Sequence, residues 1–252
     1  RAILKTLIYS DIFNYPLSQD ELWKFLINKK LDKKSFLKLL KNLNLKYVNI
    51  RNNFYCLLGR ENIINTRIGR NKESRKKIVM AKKIIKQLSR IPTIQLIGIS
   101  GALSLENSGG DDDIDLFVIA SKGSIWLTRL AMINLLVLLG RYRRRNEREV
   151  SDKICLNMII DETALVFPKE RQNLYTAHEI VQLMPVFERN DMYKKFMSEN
   201  KWVEKFLPNA LERGTTLNTT RKHAESFISV FLRHILRSSA VEHFAKVIQL
   251  WS

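Results

Sequence analysis

Cysteine, proline and glycine are scarce in this chain, whose 252 residues include two Cys, five Pro and nine Gly. So little glycine and proline excludes collagen-like and low-complexity chains. The two cysteines, Cys56 and Cys155, are far apart and lack the close spacing of metal-binding motifs. Both lie in apolar, strand-like stretches, so we predict buried, reduced thiols in a cytoplasmic protein.

Long hydrophobic runs are also missing. The most apolar stretch, residues 125–139, is too short to span a membrane and contains Arg129 and Asn134, so it predicts a buried helix. No signal peptide is visible, and we expect no contact with a membrane. Because the chain begins at Arg1 and a predicted helix continues almost to its last residue, we expect it to be part of a longer protein.

Acidic residues are few beside basic ones, and the excess of positive charge is confined to one end of the chain. Residues 1–90 contain 22 Lys or Arg and six Asp or Glu, whereas residues 91–252 contain 21 and 19. This asymmetry predicts binding to a polyanion, nucleic acid before membrane. The alternative is a lysine-rich bias of the source organism, which should affect the whole chain rather than one third of it.

The first 60 residues have the pattern of three helices followed by a hairpin. A capping box from Ser18 to Glu21 begins the second helix, and Asp32 caps the third. Asn52 and Asn53 tolerate the positive φ angles of a tight turn between two strand-like runs. The predicted elements are helices over 2–12, from Ser18 and from Asp32, and strands over 46–51 and 54–58. This order predicts a winged helix.

Basic residues on the third helix and on the next one provide the candidate nucleic-acid surface. In winged helices that bind a duplex the third helix enters the major groove, although other winged helices bind proteins. The third helix and the hairpin offer Lys33, Lys34, Lys38, Lys41 and Arg51. A long amphipathic helix over 61–90 adds Arg67, Arg70, Lys72, Arg75, Lys76, Lys77, Lys82, Lys83 and Lys86. We therefore predict that DNA or RNA contacts residues 1–90. The alternative for the basic run over 61–90 is a solvated helix face, which is the commoner outcome for such a run.

Residues 98–120 carry the strongest functional signal. A strand over 93–100 ends at the small-residue turn Ser100–Gly101–Ala102, and a strand over 113–120 begins with Asp113 and Asp115. Residues two apart on a strand point to the same side, so the two carboxylates converge and need a cation between them. Oxygen ligands of this kind suit Mg²⁺, at one or two metal positions, with substrate phosphates completing the coordination.

The turn ahead of the acids predicts a phosphate-binding loop. Small residues before a short helix over 102–107 let backbone N–H groups approach a polyphosphate. Ser100 and Ser104 add hydroxyl donors, so Ser100, Gly101, Ala102 and Ser104 are the candidate ligands of a nucleoside triphosphate.

This order of strand, glycine turn and Asp-x-Asp strand resembles the nucleotidyltransferase superfamily of DNA polymerase beta, especially its minimal nucleotidyltransferases. Twelve positions separate Gly101 from Asp113, a spacing that those minimal members share, whereas Ala102 stands where the family has Ser. Residues 2–17 and 174–182 also resemble segments of predicted bacterial and archaeal nucleotidyltransferases that carry a winged helix. The resemblance implies transfer of a nucleoside monophosphate from a triphosphate to an acceptor hydroxyl.

The family pattern includes a third carboxylate at the centre of a later strand. Here the next strand, over 153–160, has Asn157 at its centre, with Asp152 and Asp161 beyond either end. An amide can ligate a metal but is not a base. Either another group supplies the third carboxylate's function, or catalysis is impaired and the chain is a nucleic-acid-binding regulator with a nucleotide-sensing core.

The chain beyond Asp161 is predicted to be helical. Helices over 174–182, 190–206 and 219–250 are expected, the last as a packing or dimer surface. His178 lies on one helix face with Tyr175, Glu179 and Gln182, where it would orient a hydroxyl or contact the base; a structural histidine is the commoner outcome.

These observations predict an α+β protein with a winged-helix domain over 1–60, a basic linker helix over 61–90, a nucleotidyltransferase core over 91–162 and a helical C-terminal domain over 163–252. A helix over 123–140 joins the two later strands of that core. The arginines at 141–145 would complement the dipole of that helix or contact phosphate.

Overall fold

The computed structural model describes residues 1–42, 46–144 and 146–211, and its fold is α+β, as predicted. The helix predicted over 219–250 lies outside the described residues. Within them, no helix combines the length and the apolar character needed to cross a membrane.

The first 60 residues form three short helices and a small antiparallel sheet. The elements are α1 (Ala2–Asp11), β1 (Leu17–Ser18), α2 (Gln19–Lys24), α3 (Lys33–Lys41), β2 (Val48–Arg51) and β3 (Phe54–Leu57), with strand order β1-β3-β2. Ser18 and Glu21 form the predicted capping box, and the Asp32 side chain caps α3. Asn52 and Asn53 have φ angles of 51° and 62°, as their hairpin turn requires. The assignment of this unit as a winged helix stays a prediction.

A long helix leads from this unit into a four-stranded sheet. The elements are α4 (Asn62–Leu88), β4 (Ile94–Ile99), α5 (Gly101–Ser104), β5 (Ile114–Ala120), α6 (Ile125–Leu138), β6 (Ile154–Asp161), α7 (Leu174–Gln182), β7 (Met184–Glu188) and α8 (Met192–Glu199). Two short 3-10 helices span Lys169–Arg171 and Lys201–Lys205.

The sheet has strand order β6-β5-β4-β7. Strand β4 is antiparallel to both of its neighbours, β5 and β7, whereas β5 and β6 are parallel and are joined through α6. Strand β7 was not predicted from the sequence, because its five residues include Pro185 and follow a helix without a turn-forming residue. It places part of the region beyond Asp161 at the edge of the sheet.

Alternating residues of the strands divide the core into two layers. Ile97 of β4 and Leu116 and Val118 of β5 pack with α4 and α6 on one face. Phe117 and Ile119 of β5 face the other side, where α7, α8 and residues of the N-terminal unit cover the sheet. Residues of odd number at the start of β5 therefore point toward the α7 side.

Candidate functional site

Two carboxylates lie at the start of the central strand β5. Asp113 immediately precedes the strand and Asp115 is its second residue, so both project to the side of the sheet that α7 covers. Both residues are half-buried. The structure therefore brings together the two predicted metal ligands.

The side chain beside Asp115 on the neighbouring strand is a thiol. Strands β5 and β6 are parallel, and the Cα atoms of Asp115 and Cys155 are register partners. One ligand atom from each of Asp113, Asp115 and Cys155 lies within 4.8 Å of the other two. The prediction of a buried thiol holds for Cys56 but is wrong for Cys155, which is half-buried and belongs to the acidic site.

Asn157, the predicted third position, is not the partner of Asp115. The register between β5 and β6 shifts by one residue after Asp115, since Phe117 pairs with Met158, and Asn157 lies exposed in the shifted stretch. Asp152 instead forms an ion pair with Lys77 at 3.6 Å, and Asp161 accepts a hydrogen bond from the Gly123 amide at 2.6 Å. The cluster is thus two carboxylates and a thiol.

A guanidinium supplies positive charge at this cluster. Arg143, from the arginine-rich segment after α6, places its Nη1 atom 2.5 Å from Oδ2 of Asp113. Arg143 also acts on the Cys155 thiol, where it opposes the rise in the pKa of Cys155 that burial and the acids cause. Both uses predicted for this segment, the complement to the helix dipole and the contact with phosphate, stay predictions, and Arg143 is here paired with a site carboxylate.

Burial and mutual repulsion perturb the acids of the cluster. Burial, followed by the negative charge of Asp113, raises the pKa of Asp115 above its usual range. Burial and the charge of Asp115 raise the pKa of Cys155 to about 11. Two carboxylates held this close to a thiol therefore favour a positively charged ligand.

The turn after β4 lies against Asp115. Gly101 has φ +62°, and a Cβ atom added there would lie 2.9 Å from Oδ2 of Asp115. The Ser100 amide donates to the Asp115 carbonyl oxygen at 2.9 Å, which ties the turn to the acidic strand. The predicted phosphate loop and the predicted metal ligands are therefore neighbours.

We expect Gly101→Ala to destabilise the fold by about 1–3 kcal/mol, because alanine is strained at this positive φ and its methyl group meets the Asp115 carboxylate. Urea unfolding measures the change. Gly110→Ala is the matched control, because nothing lies near its added Cβ atom. Equal stability of the two variants would contradict the close approach of the turn to Asp115.

The serine hydroxyls of the turn have partners within it. Ser104 Oγ donates to the Gly101 carbonyl oxygen at 2.7 Å, and the buried Ser100 directs its hydroxyl at the Asp115 carbonyl oxygen at 3.4 Å. Helix α5 is shorter than predicted and ends at Ser104 rather than at residue 107. Contact of Ser100, Gly101, Ala102 and Ser104 with phosphate stays a prediction.

Helix α7 brings further polar groups to the acids. Glu179 is half-buried, and burial together with the charge of Asp115 raises its pKa. The charge of Glu179, then burial and the charge of Asp115 raise the pKa of Tyr175. Neither residue was assigned to the site from the sequence, although the shared helix face was recognised.

His178, the predicted nucleotide contact, packs against the N-terminal helices. Its ring stacks on Tyr9 of α1 at 4.4 Å between centroids and lies 5.4 Å from the ring of Phe25. Its Nδ1 atom shares a hydrogen bond of 2.9 Å with Gln182. These contacts favour a packing role, and burial lowers the pKa of His178 from its ordinary value of 6.5 to about 4.

This burial predicts a pH dependence of stability. Between pH 6.5 and about 4 the unfolded chain binds a proton at His178 that the folded chain does not, so stability present above pH 6.5 is lost as the pH falls. The loss is at most about 1.4 kcal/mol per pH unit. Urea unfolding of the parent and of His178→Phe at pH 7.5 and 5 should show a smaller loss in the variant. Equal losses would show that His178 binds its proton as readily in the folded chain as in the unfolded chain.

Two of the basic residues predicted for the charged face of α4 are buried instead. Arg67 forms an ion pair with Glu21 at 2.7 Å, and Lys77 hydrogen-bonds to the Asp112 carbonyl oxygen. The other predicted basic residues of this helix are exposed or half-buried. On α3, three lysines line an open groove of about 690 Å³ together with Leu37; they are Lys34, Lys38 and Lys41.

No family model matches the chain, and no curated protein matches it. Among solved structures, the crystal structure of a toxin–antitoxin with AMP-PNP is 19% identical and covers 46% of this chain and 84% of its own, with a TM-score of 0.29. A mutant of the toxin–antitoxin MntA-HpeT is 15% identical with the same coverage and a TM-score of 0.28. Scores this low support no inference about this chain.

Proposed function

We propose that the chain is a nucleotidyltransferase. An acceptor hydroxyl would attack the α-phosphorus of a nucleoside triphosphate, so that a new O–P bond forms as the bond to pyrophosphate breaks. The observation that carries this proposal is that Asp113 and Asp115 lie close together beside the turn at Gly101. A Cβ atom added to Gly101 would lie 2.9 Å from the Asp115 carboxylate. Acids facing a turn of small residues suit phosphoryl chemistry.

The donor set fits a divalent cation. Asp113 and Asp115 offer carboxylate oxygens on one side of the sheet, and both acids lie in a half-buried, mutually repelling environment. When bound, Mg²⁺ or a similar ion would neutralise the phosphates and align them for in-line attack. Asp113 and Asp115 would be its ligands.

The remaining residues would bind and orient the triphosphate. Gly101 and Ala102 would let backbone N–H groups approach the terminal phosphates. The Ser100 amide ties the turn to Asp115. Arg143, whose guanidinium lies 2.5 Å from Asp113, places a positive charge at the edge of the same site. We assign to it a contact with the phosphates.

Transfer of label tests the proposal. The full chain is incubated with each of the four nucleoside triphosphates labelled at the α-phosphate, a divalent cation, and RNA, DNA, protein or small-molecule acceptors. We expect cation-dependent label on one acceptor class, with release of pyrophosphate. The double variant Asp113→Asn with Asp115→Asn should lose the signal, whereas Asp111→Asn, an exposed acid of the same run, should keep it.

A second candidate function is nucleic-acid binding by a catalytically impaired core. It is favoured by Cys155, which lies beside Asp115 in place of a carboxylate, and by the Arg143 guanidinium on Asp113. The exposed lysines of α3 and α4 would contact phosphates of DNA or RNA. Tight, salt-sensitive binding of nucleic acid without any transfer would support this function over the first.

A further inference from the structure

The cluster at the start of β5 contains a thiol in addition to its two carboxylates. Cys155 lies beside Asp115 on the parallel strand β6, and its sulfur is within 4.8 Å of an oxygen of each carboxylate. Two ligand atoms of a tetrahedral zinc ion lie about 3.5 Å apart, so side-chain movements of about 1 Å would bring all three donors onto one ion.

Cys155 does not serve the hydrophobic core. Its neighbours on β6, Ile154 and Leu156, are buried in the layer against α4 and α6, whereas Cys155 is half-buried on the side of the carboxylates. The other cysteine, Cys56, is 3% exposed and packs with Ile63 and Ile64. The two thiols of the chain thus have different surroundings.

A positive group already lies at this cluster. The Arg143 guanidinium is paired with Asp113, so a cation occupies the side of the sheet on which the carboxylates lie. Cys155 is the register partner of Asp115, and its sulfur belongs to the same group of ligand atoms.

We propose that Cys155 is the third ligand of the divalent cation, and that it shifts the preference of the site from Mg²⁺ toward thiophilic ions such as Zn²⁺ and Co²⁺. Mg²⁺ is bound through oxygen ligands, whereas a mixed set of carboxylates and one thiolate suits borderline ions. The inference rests on the proposed function, because it concerns the same divalent site. It adds the identity of the ion.

Cobalt is the probe that reports on sulfur. The reduced full chain, freed of metal, is titrated with Co²⁺ while the near-ultraviolet band of thiolate-to-cobalt charge transfer is recorded. We expect the band in the parent and in Cys56→Ser, but not in Cys155→Ser, whose Co²⁺ affinity should fall about tenfold or more. Zn²⁺ should displace Co²⁺, and so abolish the band, at a far lower concentration than Mg²⁺ does.

The variants separate failure of this inference from failure of the proposed function. A charge-transfer band that survives in Cys155→Ser overturns the inference that Cys155 is a ligand. Co²⁺ binding that requires Asp113 and Asp115 but gives no band also overturns it, while the proposed divalent site remains. Absence of any divalent binding overturns both. Cys155→Asp, which restores a third carboxylate, should bind Mg²⁺ more tightly than the parent; a folded variant without that gain also contradicts the role of Cys155.

Discussion

Asp115→Asn is expected to reduce the rate of nucleotidyl transfer about 10³-fold or more, which corresponds to about 4 kcal/mol of transition-state stabilisation. The amide keeps the shape of the side chain but removes the negative charge that would hold the cation opposite the turn at Gly101. Initial rates with the labelled triphosphate and its acceptor measure the effect.

The fold should survive this substitution. The backbone carbonyl of Asp115 accepts a hydrogen bond from the Ser100 amide, and the variant retains that carbonyl. The substitution also relieves the repulsion between Asp113 and Asp115. Circular dichroism and urea unfolding should therefore show no loss of stability. Asp111→Asn is the matched control and should transfer at the parental rate. A rate for Asp115→Asn within about threefold of the parent would contradict the assignment.

Arg67→Met is expected to destabilise the chain by about 3 kcal/mol, because it leaves Glu21 without its cation. The Arg67 guanidinium donates to both carboxylate oxygens of Glu21, at 2.7 and 2.9 Å, and it also bonds to the Pro16 carbonyl oxygen. Although burial acts to raise the pKa of Glu21, the hydrogen bonds and charge of Arg67 bring it below its usual range. The ring of Tyr15 lies 4.1 Å from the guanidinium.

Urea unfolding distinguishes this buried pair from a surface charge of the same helix. Arg75→Met removes an exposed pair with Glu106 at 3.3 Å and should cost less than about 1 kcal/mol. Adding Glu21→Gln to Arg67→Met removes the unpaired charge and should recover about 1 kcal/mol. Similar losses for Arg67→Met and Arg75→Met would show that the pair is not buried in solution.

The elements that were predicted correctly are those that short stretches of sequence specify. Ser18 and Glu21 sit three residues apart as a capping box requires, and Asn52 and Asn53 supply the positive φ angles of their turn. The pairing of Asp113 with Asp115 was also predictable, because alternation along one strand places both on the same side. Local geometry decides each of these features.

The residues that were missed depend on contacts between distant segments. Which residue of β6 lies beside Asp115 is set by the register of two parallel strands, and this register pairs Asp115 with Cys155, two positions before Asn157. Arg143 reaches Asp113 from a segment 30 positions away. The burial of Arg67 likewise follows from packing against Glu21 in another helix, which no periodicity of α4 specifies.

The central claim is that Asp113 and Asp115 hold a divalent cation opposite the turn at residues 100–104. The most direct measurement is a crystal structure of the chain soaked with Mn²⁺ and a non-hydrolysable ATP analogue, with the anomalous signal of manganese locating the ion. We predict an anomalous peak in contact with both carboxylates and phosphate density against the Gly101 turn. Clear density for Asp113 still paired with Arg143, with no ion on either acid and no nucleotide at the turn, would contradict the account.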